Sequence, residues 1–464
     1  MFQEVAHRFD VENDAPAPHC PSFNDLMIAA SKGIDLLEGR PLRHGIRVAV
    51  LTGLIAQRMS LSKREMAPIL YGALLHDVGL PKIAYDLLPH LPDGLSIRQL
   101  FYSHTLMNIP GLSQSSSLPV IDPEHLPPNL LRILQNHPKA AAGFLDAVHL
   151  SSDIKEMVAT SHELCSGQGY PLGLSKRQIS MGARMITFAD VVEALLQEAK
   201  GAQNRHQLVE ELLGSGPLLQ AFDAEVVQAF KSLVIGPDSD DHLLTMLYSL
   251  DVERQLRNLL HVRNEPVSGV HLLDIARAMG QLADTLMPEY TENHAESVAQ
   301  IASGMALAIG IPSDQRGELV VAALLHDIGK LAIPLETLTN RGTLSSQEWR
   351  IIHDHPHYTE VVLKGLPGFK NVITWASEHH ERLNGSGYHC KRKGYEISVG
   401  ARILAIADVF NALTTPRPYR PYTYDPLDAL PVINQGRSRL YDSELVNILR
   451  SVILSKEVPI PAIR

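Results

Sequence analysis

Along most of the chain apolar residues return every three or four positions, the period that gives an α-helix one buried face. In HAESVAQIASGMALAIGI (residues 294–311) this repeat sets Val298, Ile301, Met305 and Leu307 or Ala308 on one side, and Gly310 closes it. GARILAIADVFNALT (400–414) reads as an alanine- and leucine-rich helix from which Asp408 projects. Few stretches alternate strictly between apolar and polar residues with hairpin turns at both ends. The pattern predicts an all-α fold.

The pattern is also written twice. YGALLHDVGLPKIA (71–84) and VAALLHDIGKLAIP (321–334) align at an offset of 250, which His44 and His294 share. His137 and His355, His162 and His380, and Asp190 and Asp408 then stand 218 apart, and Asp223 and Asp442 stand 219 apart. The change of offset places an insertion of 32 residues in the first copy, between Asp77 and His137. Its expected position is the Pro/Ser-rich segment at about 91–126. The predicted layout is an N-terminal arm (1–22), a first helical bundle (23–235), a helical connector (236–267) and a second bundle (268–464). GPDSDDHL (236–243) and NEPVSG (264–269) bracket the connector.

Composition narrows the function. Hydrophobic residues make up 45% of the 464-residue chain and charged ones 20%, as in an ordinary globular protein. A formal charge of -10 argues against a nucleic acid polymer as ligand, since phosphate neutralisation needs a basic surface. Three cysteines form neither a disulfide framework nor a zinc knuckle. No apolar run reaches 18 residues and the acidic N-terminus lacks a signal-peptide core. The expectation is a cytoplasmic protein without a membrane span.

The second copy carries His294, His326-Asp327, His355, His379-His380 and Asp408. Imidazole and carboxylate together suit divalent transition metals without any thiolate. Neighbouring side chains on a helix diverge by ~100°, so His326 and Asp327 do not sit comfortably on one ion. A carboxylate bridging two ions answers this: His294, His326, Asp327 and Asp408 on one, Asp327, His355, His379 and His380 on the other. Two such ions bind a phosphodiester and activate a water for in-line attack. Lys330, Arg417 and Arg420 would hold the phosphate, arginine's planar fork suiting its oxygens.

ALLHDIGKLAIP, HPHYTEVVL, SEHHERLNGSGY and ARILAIADVFNALTTPRPYR resemble the HD-GYP family, bacterial cyclic-dinucleotide phosphodiesterases of the HD hydrolase superfamily. The resemblance covers about 272–463, and more weakly 23–234, so that the chain reads as two tandem HD-type bundles. It implies a helical core, a centre of two divalent ions (iron first, manganese, nickel or another as alternatives) and hydrolysis of cyclic di-GMP to pGpG and GMP. Cyclic GMP–AMP is the alternative substrate. By position the seven histidines and aspartates match the family's metal ligands, with Asp327 and Lys330 catalytic and Lys330, Arg417 and Arg420 on the phosphates. Tyr290 replaces the glutamate that brings some members a third ion. Asn340-Arg341-Gly342 replaces Lys-Pro-Gly, with Arg341 as substitute cation. Asn411 stands where some members place a substrate-contacting aspartate, and His389 replaces the family's proline as a solvent-facing loop residue.

The first copy keeps His44, His76, Asp77, His137, His162 and Asp190 as a residual ligand set. It has Leu80 for the lysine, Ser161 for the first paired histidine and AKGA (199–202) for RPYR. Its expected role is regulatory or architectural, through homodimer formation or binding of a ligand, a diguanylate cyclase or another signalling protein. The rival reading is a cyclic-dinucleotide receptor or scaffold without turnover.

Overall fold

A computed structural model of the chain describes residues 20–40, 42–107, 109, 121–199, 201–214, 216–235, 243–260, 265–267, 269–291, 293–416, 422–436 and 440–455. Extended pairing among these is limited to the isolated bridges Ser22–Pro266 and Ser166–Ser175, so the fold is all-α as the periodicity predicts. No described helix is long and apolar enough to cross a membrane. The chain divides into two compact units, Phe23–Asn264 and Glu265–Arg464 with Met1–Ser22.

In the first unit α1 (Phe23–Glu38), α2 (His44–Arg58), α3 (Lys63–Leu74), α4 (Leu80–Leu87) and α5 (Ile97–Met107) are followed by α6 (Ser152–Ala159), α7 (Met181–Glu198) and α8 (Ala224–Val234). The central helix α2 packs on α3, α7 and α8, and also on a later helix, Val252–Leu259. That last helix and its predecessor, α9 (Leu243–Leu247) and α10 (Val252–Leu259), come from the stretch read as a connector, yet Leu243, Leu244, Leu247, Val252 and Leu256 are all buried. Each such side chain removed from water contributes roughly 1.5–3 kcal/mol.

The second unit repeats the plan. Its helices are α11 (Gly269–Asp284), α12 (His294–Ala308), α13 (Ser313–Leu325), α14 (Ser346–His353), α15 (His355–Leu363), α16 (Lys370–Ser377), α17 (Val399–Thr414), α18 (Pro426–Gly436) and α19 (Ser443–Ser455). Here α12 is central, packed on α11, α13, α17 and α19. Val298, Ile301 and Met305 are buried, but Leu307 is 52% exposed and Ala308 is exposed as well, so the buried face of α12 ends at Met305 and Ala306. Ser180 and Ser398 cap the matching helices α7 and α17 by accepting from Ala183 N and Ala401 N. Arg184–Asp223 and Arg402–Asp442 then tie these helices to α8 and α19.

Candidate metal centre

The second copy gathers its histidines at helix ends. His294 opens α12, His326-Asp327 follows α13, His355 opens α15 and His379-His380 follows α16; Asp408 lies within α17. Asp327 stands between two groups. Its Oδ2 is 3.3 Å from His294 Nε2 and 3.2 Å from His326 Nε2. Its Oδ1 is 3.4 Å from His355 Nε2 and 3.9 Å from His379 Nε2. Asp408 reaches both groups, at 3.5 Å from His294 Nε2 and 4.0 Å from His380 Nδ1.

What fixes the rings is backbone. His326, His355 and His379 each bring Nδ1 within 2.7 Å of a carbonyl, of Ala323, Ile352 and Ala376 respectively. A carbonyl only accepts, so Nδ1 carries the proton and Nε2 presents a lone pair. Those lone pairs face a carboxylate that also only accepts. His294 Nε2, His326 Nε2 and His380 Nδ1 are buried without a hydrogen-bond partner. Ligand bonds of about 2.1 Å set adjacent donor atoms about 3.0–3.4 Å apart, so the residues present fit a pair of divalent ions. Burial, reinforced by neighbouring imidazoles, holds His379 and His380 well below the usual imidazole range and leaves them neutral. Burial alone would raise Asp327, but the groups facing it, the ion-paired Lys330 among them, hold it well below the usual carboxylate range and keep the carboxyl ionised.

Two glycines permit these approaches. A Cβ on Gly329 would lie 2.0 Å from the His355 carbonyl oxygen, so the residue two after Asp327 must be glycine for α15 to come this close. Thr359 locks the contact, accepting from Gly329 N at 3.1 Å and donating to the His326 carbonyl at 2.8 Å. A Cβ on Gly387 would meet Glu381 Cα at 2.5 Å. Glu381 in turn accepts from the backbone N–H groups of Cys390, Lys391 and Arg392 at 2.8–2.9 Å, shaping the Gly-Tyr-His loop. Tyr388 from that loop stacks on His353 and lies 4.8 Å, ring to ring, from His380.

Other expected residues fall differently. Asn411 faces inward: it is 1% exposed, and its Oδ1 accepts from His294 Nδ1 at 2.7 Å. Its place three residues after Asp408, on the same helix face, is the signal that alignment to a substrate-contacting aspartate obscured. Partners of this kind orient the ligand ring, and losing them costs about 10–100-fold. Asn411→Leu is therefore expected to weaken metal binding and turnover by that factor, read by metal titration and kcat. His389 is only 17% exposed and pairs with Glu360 at 3.5 Å, beside His357. Arg341 is exposed and pairs with Glu289 at 3.7 Å. Arg417 and Arg420 lie outside the described residues.

The first copy also assembles its set. Asp77 Oδ2 is 3.2 Å from His76 Nε2, and Asp190 Oδ1 is 3.2 Å from His44 Nε2 and 3.5 Å from His76 Nε2. Asp77 Oδ1 meets three rings, His137 and His162 at 3.1 Å and, unforeseen from the sequence, His104 at 3.2 Å. His104 belongs to α5, in the insertion that has no counterpart in the second copy, so no offset could expose it. This cluster is closed. Asp190 and His162 side chains are 1% and 4% exposed, against 13% and 17% for Asp408 and His380. Tyr170 stacks flat on His162 at 5.0 Å, and the buried Arg40 guanidinium lies 3.1 Å from His44 Nε2.

Helical bundles that bury a His-Asp pair among converging imidazoles define the HD class of domain. The family model described as HD domain matches residues 98–212 and 278–445, and the chain belongs to this family. It is 27% identical over 447 residues to the 3'3'-cGAMP-specific phosphodiesterase 3 of Vibrio cholerae, covering 93% of this chain and 94% of that one. The crystal structure of a V. cholerae cyclic GMP-AMP specific phosphodiesterase, V-cGAP3, superposes with a TM-score of 0.65 at 26% identity, covering 94% of this chain and 98% of that one. The cyclic di-GMP phosphodiesterase response regulator RpfG of Xanthomonas campestris is 37% identical over 157 residues, 33% of this chain and 41% of its own length.

Proposed function

We propose that this protein is a metal-dependent phosphodiesterase that hydrolyses a cyclic dinucleotide, with its active site in the second copy. The observation that carries the reading is Asp327, whose two oxygens face two separate groups of imidazole lone pairs. His294, His326, Asp327 and Asp408 would hold one divalent ion and Asp327, His355, His379 and His380 the other. Iron is the first choice for both, with manganese or nickel as alternatives. Bound there, the ions supply Lewis acidity toward the phosphodiester and lower the pKa of a water.

The chain's own residues do the rest. Backbone carbonyls and Asn411 hold the rings of His294, His326, His355 and His379 by Nδ1, so their lone pairs need no reorganisation when ions and substrate arrive. Asp408 and His380 lie at the partly open side, where a phosphate can approach. Lys330, next to Asp327 and 17% exposed, offers an ammonium to the charge that develops on phosphorus-bound oxygen. Arg417 and Arg420 are assigned the same duty on sequence grounds, as is Arg341, which is exposed and paired with Glu289. Removing one such contact costs about 10²–10³-fold. Lys330→Ala is expected to lower kcat by that factor while leaving the metal content at the wild-type level, measured by steady-state kinetics beside elemental analysis.

Between substrates, 3'3'-cyclic GMP–AMP is favoured over the cyclic di-GMP that the motifs alone put first. A relative specific for the mixed dinucleotide matches along nearly the whole chain, both copies included, whereas the cyclic di-GMP relative RpfG covers a third of it. Competing the two dinucleotides in one reaction tests this: faster consumption of cyclic di-GMP would reverse the order.

A further inference from the structure

We infer that the first copy is a metal site in its own right, in which Asp77, His104, His137 and His162 hold one divalent first-row transition ion. The four candidate ligand atoms lie within 4.8 Å of one another, and all four residues are buried. His104 Nδ1 is held by the Phe101 carbonyl at 2.5 Å and His137 Nδ1 by the Leu134 carbonyl at 2.8 Å. Both rings therefore carry their proton on Nδ1 and aim a bare Nε2 at Asp77 Oδ1. His162 Nε2 joins them, 3.1 Å from the same oxygen and 3.0 Å from His137 Nε2. A cation among these acceptors resolves the conflict. Protonating the rings instead would crowd imidazolium charges, with ring centroids 4.8–5.3 Å apart, in a site sealed from water.

Three imidazoles and one carboxylate suit zinc, iron or nickel. In the second copy the matching group uses paired histidines, His379-His380. In the first, Ser161 stands for His379 and donates its hydroxyl to the Val158 carbonyl at 2.9 Å. The insertion helix α5 restores the missing ligand from elsewhere in the chain. The other half of the first copy is different in kind, because Arg40 already places a positive charge on His44. One ion is thus the expected content. With Leu80 in place of the lysine and Tyr170 covering His162, this centre ties α5 to the bundle and performs no phosphoryl chemistry.

The inference is independent of the function proposed for the second copy, and its test does not use activity. Full-length protein carrying Asp327→Ala and His355→Ala is stripped of metal and titrated with cobalt(II). One equivalent should bind with ligand-field absorption, and adding His104→Ala should abolish it. A failure of this protein to bind cobalt, or undiminished binding after His104→Ala, overturns the inference. Should His104→Ala not fold, His104→Cys in the same background decides the matter: a thiolate-to-cobalt charge-transfer band is expected, and bound cobalt without that band contradicts ligation from position 104.

Discussion

Asp327→Asn is expected to abolish hydrolysis of the cyclic dinucleotide, lowering kcat on the order of 10³-fold or more. Asparagine keeps the size of the side chain but removes the negative charge and one of two equivalent oxygens. Since each oxygen faces its own pair of imidazoles, the loss falls on both halves of the centre at once. It also leaves Lys330 without its ionic partner. Metal content should drop in parallel, measured by elemental analysis of protein purified without oxygen. The matching substitution Asp77→Asn acts on the sealed cluster. If activity survives Asp327→Asn and dies on Asp77→Asn, the chemistry belongs to the first copy.

The second large effect concerns a residue with no functional group. Gly329→Ala would put a methyl 2.0 Å from the His355 carbonyl oxygen and 2.4 Å from Thr359 N, both backbone atoms that cannot swing aside. The segment after Asp327 and helix α15 must then separate. Overpacking of this severity costs about 3 kcal/mol, which for a domain of this size lowers Tm by about 6–12 °C. The same separation pulls His355 from Asp327, so bound metal should fall together with stability. Gly143→Ala is the control, because a Cβ there meets nothing within 4 Å. Equal melting temperatures for the two variants would mean that the close approach at Gly329 does not constrain the site.

Much of this was legible in the linear chain, and the reasons are local. His326-Asp327 and His380 have doubles at fixed offsets in His76-Asp77 and His162, so duplication marks them in the sequence itself. The Gly-Tyr loops were recognisable as a pair, and their common fastening explains why. Glu163 accepts from Leu172 N and Leu174 N just as Glu381 accepts from its own loop, so the glutamate after the histidines is a loop anchor in both copies. The loop therefore tolerates histidine for proline at its end, while His379 and His380 face Asp327 and Asp408.

Other residues were hidden for physical reasons. His104 lies in the inserted segment, where no repeat offset applies; the lost histidine at Ser161 was the nearest hint that a substitute existed. Asn411 aligns with a substrate-contacting aspartate of some family members, whereas helical geometry turns it onto His294. In the first copy Glu193 occupies the matching position and partners His44, so the orienting role is shared by both copies although the residue type is not. The stretch 243–260 reads as a connector because GPDSDDHL and NEPVSG bracket it, but Leu243, Leu244, Leu247, Val252 and Leu256 are buried in the first unit.

A hydrolytic centre in the second copy and a mere binding remnant differ in one observable, cleavage of the bound dinucleotide. Its most direct test is a single-turnover reaction of the full chain, purified without oxygen and loaded with iron or manganese, with 3'3'-cyclic GMP–AMP and cyclic di-GMP as substrates. A linear dinucleotide product that disappears in Asp327→Asn is the expected result. Two equivalents of metal in the second copy with tight binding of either dinucleotide, yet no cleavage, would contradict a hydrolytic centre and leave a receptor in its place.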